Sequence, residues 1–253
     1  MIMGKEAMEI LASSRVAVFG LGGVGGYIVE ALARSGIGAL DLVDPDIVSL
    51  SNLNRQILAT EATIGQDKTE AAAERIRQIH PHCSVRTVKG FYLPDTETQF
   101  GFEGIDYIAD AIDTVTGKLA LISRAGREGI PIISSMGTGN KTDPGALRVA
   151  DLYETDIDPL ARIMRKECRK RGIDHLKVVY SKEMPIRPDP DMEEEARAAS
   201  GGDTDGSTLR KRDVPGSIAM VPAAAGLLIA AEIVRDLTAG YFSKREGDSN
   251  VEV

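Results

Sequence analysis

The 253-residue sequence has no tryptophan, and its aromatic content is only 4%. That scarcity argues against a surface built for extensive base stacking, although Tyr and Phe remain. There are two cysteines, Cys83 and Cys168. Two thiols cannot make a disulfide framework, and without a Cys-x-x-Cys pair no four-thiolate zinc site is expected. The N-terminus, Met-Ile-Met-Gly-Lys, lacks a charged stretch leading into an apolar run. No secretion signal is read there, so the expected compartment is the cytoplasm. Basic residues are in deficit: 30 Lys and Arg stand against 38 Asp and Glu, a net charge of −8. Overall charge therefore does not favour nucleic acid, which leaves only a local basic patch to do so. The one long apolar stretch, 216–234, holds a single charge, Glu232, but also Pro222, Ala223 to Ala225 and Gly226. Arg235 and Asp236 follow at helical spacing, so it reads as a core helix packed on a sheet, and no membrane partner is expected.

Apolar residues make up 43% of the chain, enough for a globular core. Short β-branched runs at 15–20, 39–43, 84–88, 105–110 and 130–134 read as buried parallel strands. Helical periodicity fills 25–35, 68–80 and 115–128 between them, with Pro81 stopping the second helix. This alternation predicts an α/β protein with a doubly wound, mostly parallel, Rossmann-like sheet and helices on both faces. After about residue 140 the texture changes. A Pro-Gly turn precedes the alternating Leu147, Val149 and Leu152, and Asp158-Pro159 opens a helix to about residue 172. A strand follows at 177–180 and a last helix at about 218–239. The stretch 185–215, rich in Pro, Gly, Ser and acids, reads as a long mobile loop. The whole chain, 1–253, is expected to be one domain: a nucleotide-binding core over 1–140 and a C-terminal extension over 141–253.

Gly20-Leu-Gly22-Gly23-Val-Gly25 fits G-x-G-x-x-G between a strand and a helix. Such glycines allow a tight turn and close approach to phosphate, and the helix start offers free N–H donors. Asp44, at the end of the second strand, can accept from ribose hydroxyls. This pair alone says only "nucleotide". The next segment carries Asp46, Asn52, Asn54, Arg55 and Gln56, and Lys68 opens the following helix. A nicotinamide enzyme needs only the diphosphate loop and the ribose acid here, and no hydride-facing site is evident. Two amides, an arginine and a lysine suit three phosphates. Taken singly, Arg55 or Lys68 reads as a solvated surface charge; the ordered set does not. Asp110 and Asp113 flank the fourth strand's end, where a carboxylate could hold Mg²⁺.

That ordered set resembles the ATP-dependent adenylating enzymes of the ubiquitin-activating superfamily (the ThiF type). These share a glycine loop, Asp-x-Asp, Ser-Asn-x-Asn-Arg-Gln, a downstream Lys and Asp-Ala-x-Asp. The resemblance implies ATP with Mg²⁺, and it allows a monovalent cation whose ligands it does not assign. It implies Asp44 on the ribose, Asn54, Arg55 and Lys68 on the phosphates, Gln56 lining the site, and Asp113 on the metal. Arg55, Lys68 and Asp113 then carry the catalysis: a substrate carboxylate attacks the α-phosphate and pyrophosphate leaves.

Over nearly its whole length the chain resembles the tRNA threonylcarbamoyladenosine dehydratase family. The likeness includes Arg34-Ser-Gly-Ile-Gly38, Asp158-Pro-Leu-Ala-Arg162, Val178-Val-Tyr-Ser181 and Gly216-Ser-Ile-Ala-Met-Val-Pro222. It implies tRNA modification: ATP activates the threonyl carboxylate of the modified adenosine, the carbamoyl group closes on it, AMP leaves, and water is lost overall. It also implies a homodimer. Members usually carry an N-terminal arm with an arginine, whereas here the first helix is expected near Gly4. The alternative is an adenylyltransferase for a ubiquitin-like sulfur carrier, with the acidic stretch 189–205 as a docking element. A non-catalytic or NAD-dependent nucleotide binder is a third reading. Between Arg162 and Lys177 lie seven Lys or Arg and two acids. Arg162, Arg165, Lys166, Arg169, Lys170 and Arg171 are the candidate tRNA contacts, and Arg210 to Arg212 form a second basic cluster. A basic setting such as that around Cys168 could lower a thiol pKa, but thioester chemistry usually needs a carrier-binding domain as well, and no catalytic role is expected of it.

Overall fold

A computed structural model describes residues 3–187, 189 and 216–241. Most of the stretch read as a mobile loop, the acidic stretch beyond Asp189 and the second basic cluster lie outside the described residues. Seven strands form one sheet: β1 (Arg15–Phe19), β2 (Ala39–Val43), β3 (Ser84–Val88), β4 (Tyr107–Asp110), β5 (Ile132–Ser135), β6 (Leu147–Asp151) and β7 (Lys177–Ser181). Their order is β3-β2-β1-β4-β5-β7-β6. Every pairing is parallel except β6 with β7, so the antiparallel strand sits at an edge. The helices are α1 (Lys5–Ser13), α2 (Gly25–Arg34), α3 (Lys68–Ile79), α4 (Val115–Glu128), α5 (Pro159–Arg169) and α6 (Met220–Leu237).

Strand residues alternate between the two faces because successive side chains point to opposite sides. Val16 and Val18 pack with Leu11, Ile28, Ile76 and Ile229, which places α1, α2, α3 and α6 over one face. Ala17 and Phe19 pack with Leu121 and Ala125 of α4 on the other, and α4 joins α5 through Ile122, Met164 and Cys168. Val221, Ala225, Ile229 and Ile233 of α6 are buried. Among the described residues no helix is long and apolar enough to cross a membrane.

The strand order reverses between β1 and β4, and a crevice opens where their carboxyl ends part. Two glycines make that crevice possible. Gly20 has φ +88°, and a Cβ there would stand 2.5 Å from the Ala111 carbonyl oxygen. A Cβ on Gly25 would lie 1.7 Å from the Gly20 carbonyl oxygen.

Candidate active site

A cavity of about 510 Å³ occupies the crevice. The glycine turn, the ends of β2 and β4 and the segment before α3 all contribute to it. Gly20, Gly22, Gly23, Asp44, Asp46, Asn52, Arg55, Gln56, Lys68 and Asp113 line it. Gly25 lies behind the wall, in contact with Gly20. The N-terminus of α2 has no side-chain cap; the Gly26 and Tyr27 N–H groups donate to the Gly22 and Val24 carbonyls at 3.1 Å, and among the described residues the Val24 and Gly25 N–H groups have no backbone partner, which leaves them to an anion.

Asp44 is buried at the end of β2. Its Oδ2 accepts the Leu21 N–H at 2.6 Å and its Oδ1 the Asp46 N–H at 2.9 Å. Burial raises its pKa, opposed by the Lys68 charge and these two hydrogen bonds. Lys68 Nζ lies 2.8 Å from Asp46 Oδ2 and 3.8 Å from Asp44 Oδ1. Lys68 is 5% exposed, so it is not the solvated charge that it resembles in isolation.

Arg55 is half-buried. Its Nη1 donates to the Ser51 carbonyl at 2.8 Å and to Asn54 Oδ1 at 2.9 Å. No carboxylate lies within ion-pair distance among the described residues. Burial holds its pKa below the usual value, and a desolvated guanidinium with only neutral partners is suited to an incoming anion. Asn54 differs from the expectation. It stands outside the cavity lining, and its Nδ2 donates to the Ser217 carbonyl at 2.8 Å. It ties Arg55 to the segment entering α6, whose Pro222 also lines the cavity.

Asp110 and Asp113 part company. Asp110 is fully buried and pairs with Lys118 Nζ at 3.0 Å, so it does not face a ligand. Asp113 is exposed, lines the cavity and has no bonding partner among the described residues.

Tyr92 was not evident in the sequence as a site residue. It is buried against Phe19 with ring centroids 5.1 Å apart, and it lines the cavity. Its hydroxyl and Gln56 Oε1 are buried without a hydrogen-bond partner among the described residues. Burial pushes the Tyr92 pKa up to about 12, so the group remains a neutral donor. Orphaned polar atoms of this kind cost free energy unless something bonds to them. The charges nearest the Tyr92 hydroxyl are Glu97, Arg124, Arg127 and Glu128, toward the far end of α4, so it points away from the cavity, and Gln56 Oε1 is the orphaned atom that belongs to the cavity lining. No periodic pattern reveals Tyr92, which sits in an irregular loop after β3.

The basic candidates on and just after α5 divide. Arg162 and Lys166 are exposed and unpartnered among the described residues. Arg165 donates to the Thr155 carbonyl at 2.8 Å and to the Thr155 hydroxyl, so it holds the entry to α5. Arg169 stacks over Tyr153, 5.1 Å from the ring centroid. Lys170 and Arg171 pair with Glu167 at 2.6 and 2.9 Å. Cys168 points into the core. Burial raises its pKa to about 11, so the basic setting does not lower it.

The sheet reversal, the glycine turn and the uncompensated arginine together define a nucleotide-binding α/β protein with a crevice suited to phosphate. The chain belongs to the ThiF family, whose model matches residues 1–249. It is 42% identical to a tRNA threonylcarbamoyladenosine dehydratase of Bacillus subtilis, over 97% of this chain and 95% of that protein. A crystal structure of the Escherichia coli tRNA N6-threonylcarbamoyladenosine dehydratase in complex with ATP superposes with a TM-score of 0.82. It is 33% identical and covers 96% of this chain and 93% of that one. Likeness to the molybdopterin-synthase adenylyltransferase of Escherichia coli, 37% identical, covers 51% of each chain.

Proposed function

We propose that this chain is an ATP-dependent dehydratase acting on threonylcarbamoyladenosine in tRNA. The observation that carries the reading is Arg55, desolvated on the cavity wall with no carboxylate among the described residues to neutralise it. Its partner on the phosphates is Lys68, which reaches them by exchanging Asp46 for a phosphate oxygen. Asp44 takes the ribose hydroxyls with lone pairs left beside its two backbone bonds. Gln56 supplies an acceptor to the bound molecule.

The substrate carboxylate attacks the α-phosphorus. The bond to the bridging oxygen of the β-phosphate breaks, and pyrophosphate leaves. The carbamoyl group then attacks the activated carbonyl carbon and gives up a proton. AMP departs with the former carboxylate oxygen, which accounts for the lost water. The protein's part is to position the reactants and to neutralise charge, with no enzyme nucleophile. Mg²⁺ fits Asp113, a free carboxylate at the cavity, and would supply charge neutralisation on the phosphates. Among the described residues no cluster of three metal-ligating side chains exists, so nucleotide oxygens and water would complete its shell. A homodimer in the cytoplasm, where tRNA is modified, belongs to the same reading.

The carrier-activating alternative is less well supported, because that likeness stops at about half of each chain. Mass spectrometry of tRNA nucleosides after incubation with the protein and ATP is the test. The modified nucleoside should lose one water as AMP accumulates. No change in the nucleoside, with ATP–pyrophosphate exchange that depends on a carrier peptide, would reverse the assignment.

A further inference from the structure

Beside the cavity lie two buried charges that the chemistry above does not use. Lys118 of α4 is 1% exposed and Asp110 at the end of β4 is 0% exposed. The Lys118 ammonium spends all three of its hydrogens: on Asp110 Oδ2 at 3.0 Å, Ser134 Oγ at 3.2 Å and the Ser135 carbonyl at 2.8 Å. Asp110 Oδ2 also accepts the Ser134 hydroxyl at 2.5 Å. Its Oδ1 accepts the Ile112 N–H at 3.1 Å. A buried ion pair is a poor device for stability alone, since apolar groups of like volume commonly do as well or better.

What the pair does hold is one turn. Ile112 adjoins Asp113, and residues 111–114 line the cavity. On the other side of that turn the Ala111 carbonyl fills the space that a Cβ on Gly20 would need, and the Ala111 N–H donates to the Phe19 carbonyl at 2.8 Å, which ties the turn to the start of the glycine loop. The turn is held between the glycine loop in front and the Lys118–Asp110–Ser134 cluster behind. We propose that Lys118 and Asp110 are positioning residues, which fix the 111–114 turn so that the Asp113 carboxylate enters the cavity at one place. They thereby set the metal dependence of the reaction without touching the nucleotide. The inference rests on the assignment of Asp113 to Mg²⁺ made above.

The test is the double variant Asp110→Asn with Lys118→Met, which removes both charges and leaves neither unpaired. The melting temperature should stay within about 4 °C of the parent. ATP affinity measured in EDTA should stay within about two-fold, and the free Mg²⁺ giving half-maximal turnover should rise about ten-fold. Ser134→Ala, which deletes two bonds of the cluster, should raise it about three-fold and decides the matter if the double variant does not fold. Unchanged Mg²⁺ dependence in a folded variant overturns the proposal. So does a loss of ATP affinity in EDTA that tracks the loss of stability, because that is what a merely structural pair would give. Asp113→Ala, measured alongside, separates the two claims. If it turns over normally, the assignment of Asp113 fails. If it is inactive while the cluster variants behave as the parent, only the positioning role fails.

Discussion

Lys68 Nζ lies 2.8 Å from Asp46 Oδ2, so the cation expected to meet phosphate has a carboxylate partner of its own. That partner is exposed at 56% of its side chain, whereas the Asp44 carboxylate behind it is nearly sealed. Removing Lys68 therefore does two things. It takes a charge from the phosphate site and leaves Asp44 without its countercharge. Lys68→Ala should abolish adenylation and also cost roughly 1–3 kcal/mol of stability, read by denaturant titration. Arg55→Ala should lose turnover by about 10²-fold or more with stability within about 0.5 kcal/mol, because Arg55 has only neutral partners to lose. Normal turnover in either variant would refute the phosphate clamp.

Tyr92→Phe tests the orphaned hydroxyl. The hydroxyl has no partner among the described residues, so its removal should leave stability unchanged or raised. Because its charged neighbours lie toward the far end of α4, ATP affinity should stay within about two-fold. Titration calorimetry reads this directly. A larger loss of affinity would place the hydroxyl on the nucleotide.

The sequence made the sheet legible because each strand is a short apolar run bounded by a turn and each helix has a matching period. The runs at 39–43 and 84–88 and the helix at 115–128 coincide with β2, β3 and α4. The strand expected from 105 begins instead at Tyr107, because the Ile105 N–H is used by the Phe102 carbonyl in a turn. The cavity was legible as a set of residue types in order. Their neighbours were not. A lysine near a helix start looks solvated, yet Lys68 and Lys118 are buried, because carboxylates at distant strand ends receive them. The partner of Asn54 is Ser217, 163 residues away, a pairing that no local pattern carries.

The two thiols give a pH-dependent check. Burial raises both Cys83 and Cys168 to about 11. A raised thiol pKa keeps the unreactive protonated form, so reactivity climbs only as the pH approaches 11. At pH 8 the thiolate fraction is about 100-fold below that of a thiol with pKa 9. Alkylation of the folded protein at pH 8 should be slow, and fast once it is unfolded in guanidinium. Cys168→Ala should keep its turnover. Rapid labelling of the folded protein together with loss of activity would bring back a thioester mechanism.

The basic helix α5 is where tRNA binding can be separated from nucleotide binding. The six candidate contacts on and just after it are not equivalent, since four are engaged by Thr155, Tyr153 or Glu167. Arg162 and Lys166 remain, exposed and unpartnered among the described residues. If this face meets the phosphate backbone, Arg162→Ala with Lys166→Ala should weaken tRNA binding and reduce the slope of log affinity against log salt by about 1–2. ATP affinity and melting temperature should not move, because neither side chain has a bond to lose. Arg165→Ala should behave oppositely, lowering the melting temperature through the lost bonds to Thr155 while the salt slope changes less. An unaltered salt slope in the Arg162/Lys166 variant would show that tRNA docks elsewhere, with the excess charge on α5 serving as a solvated face.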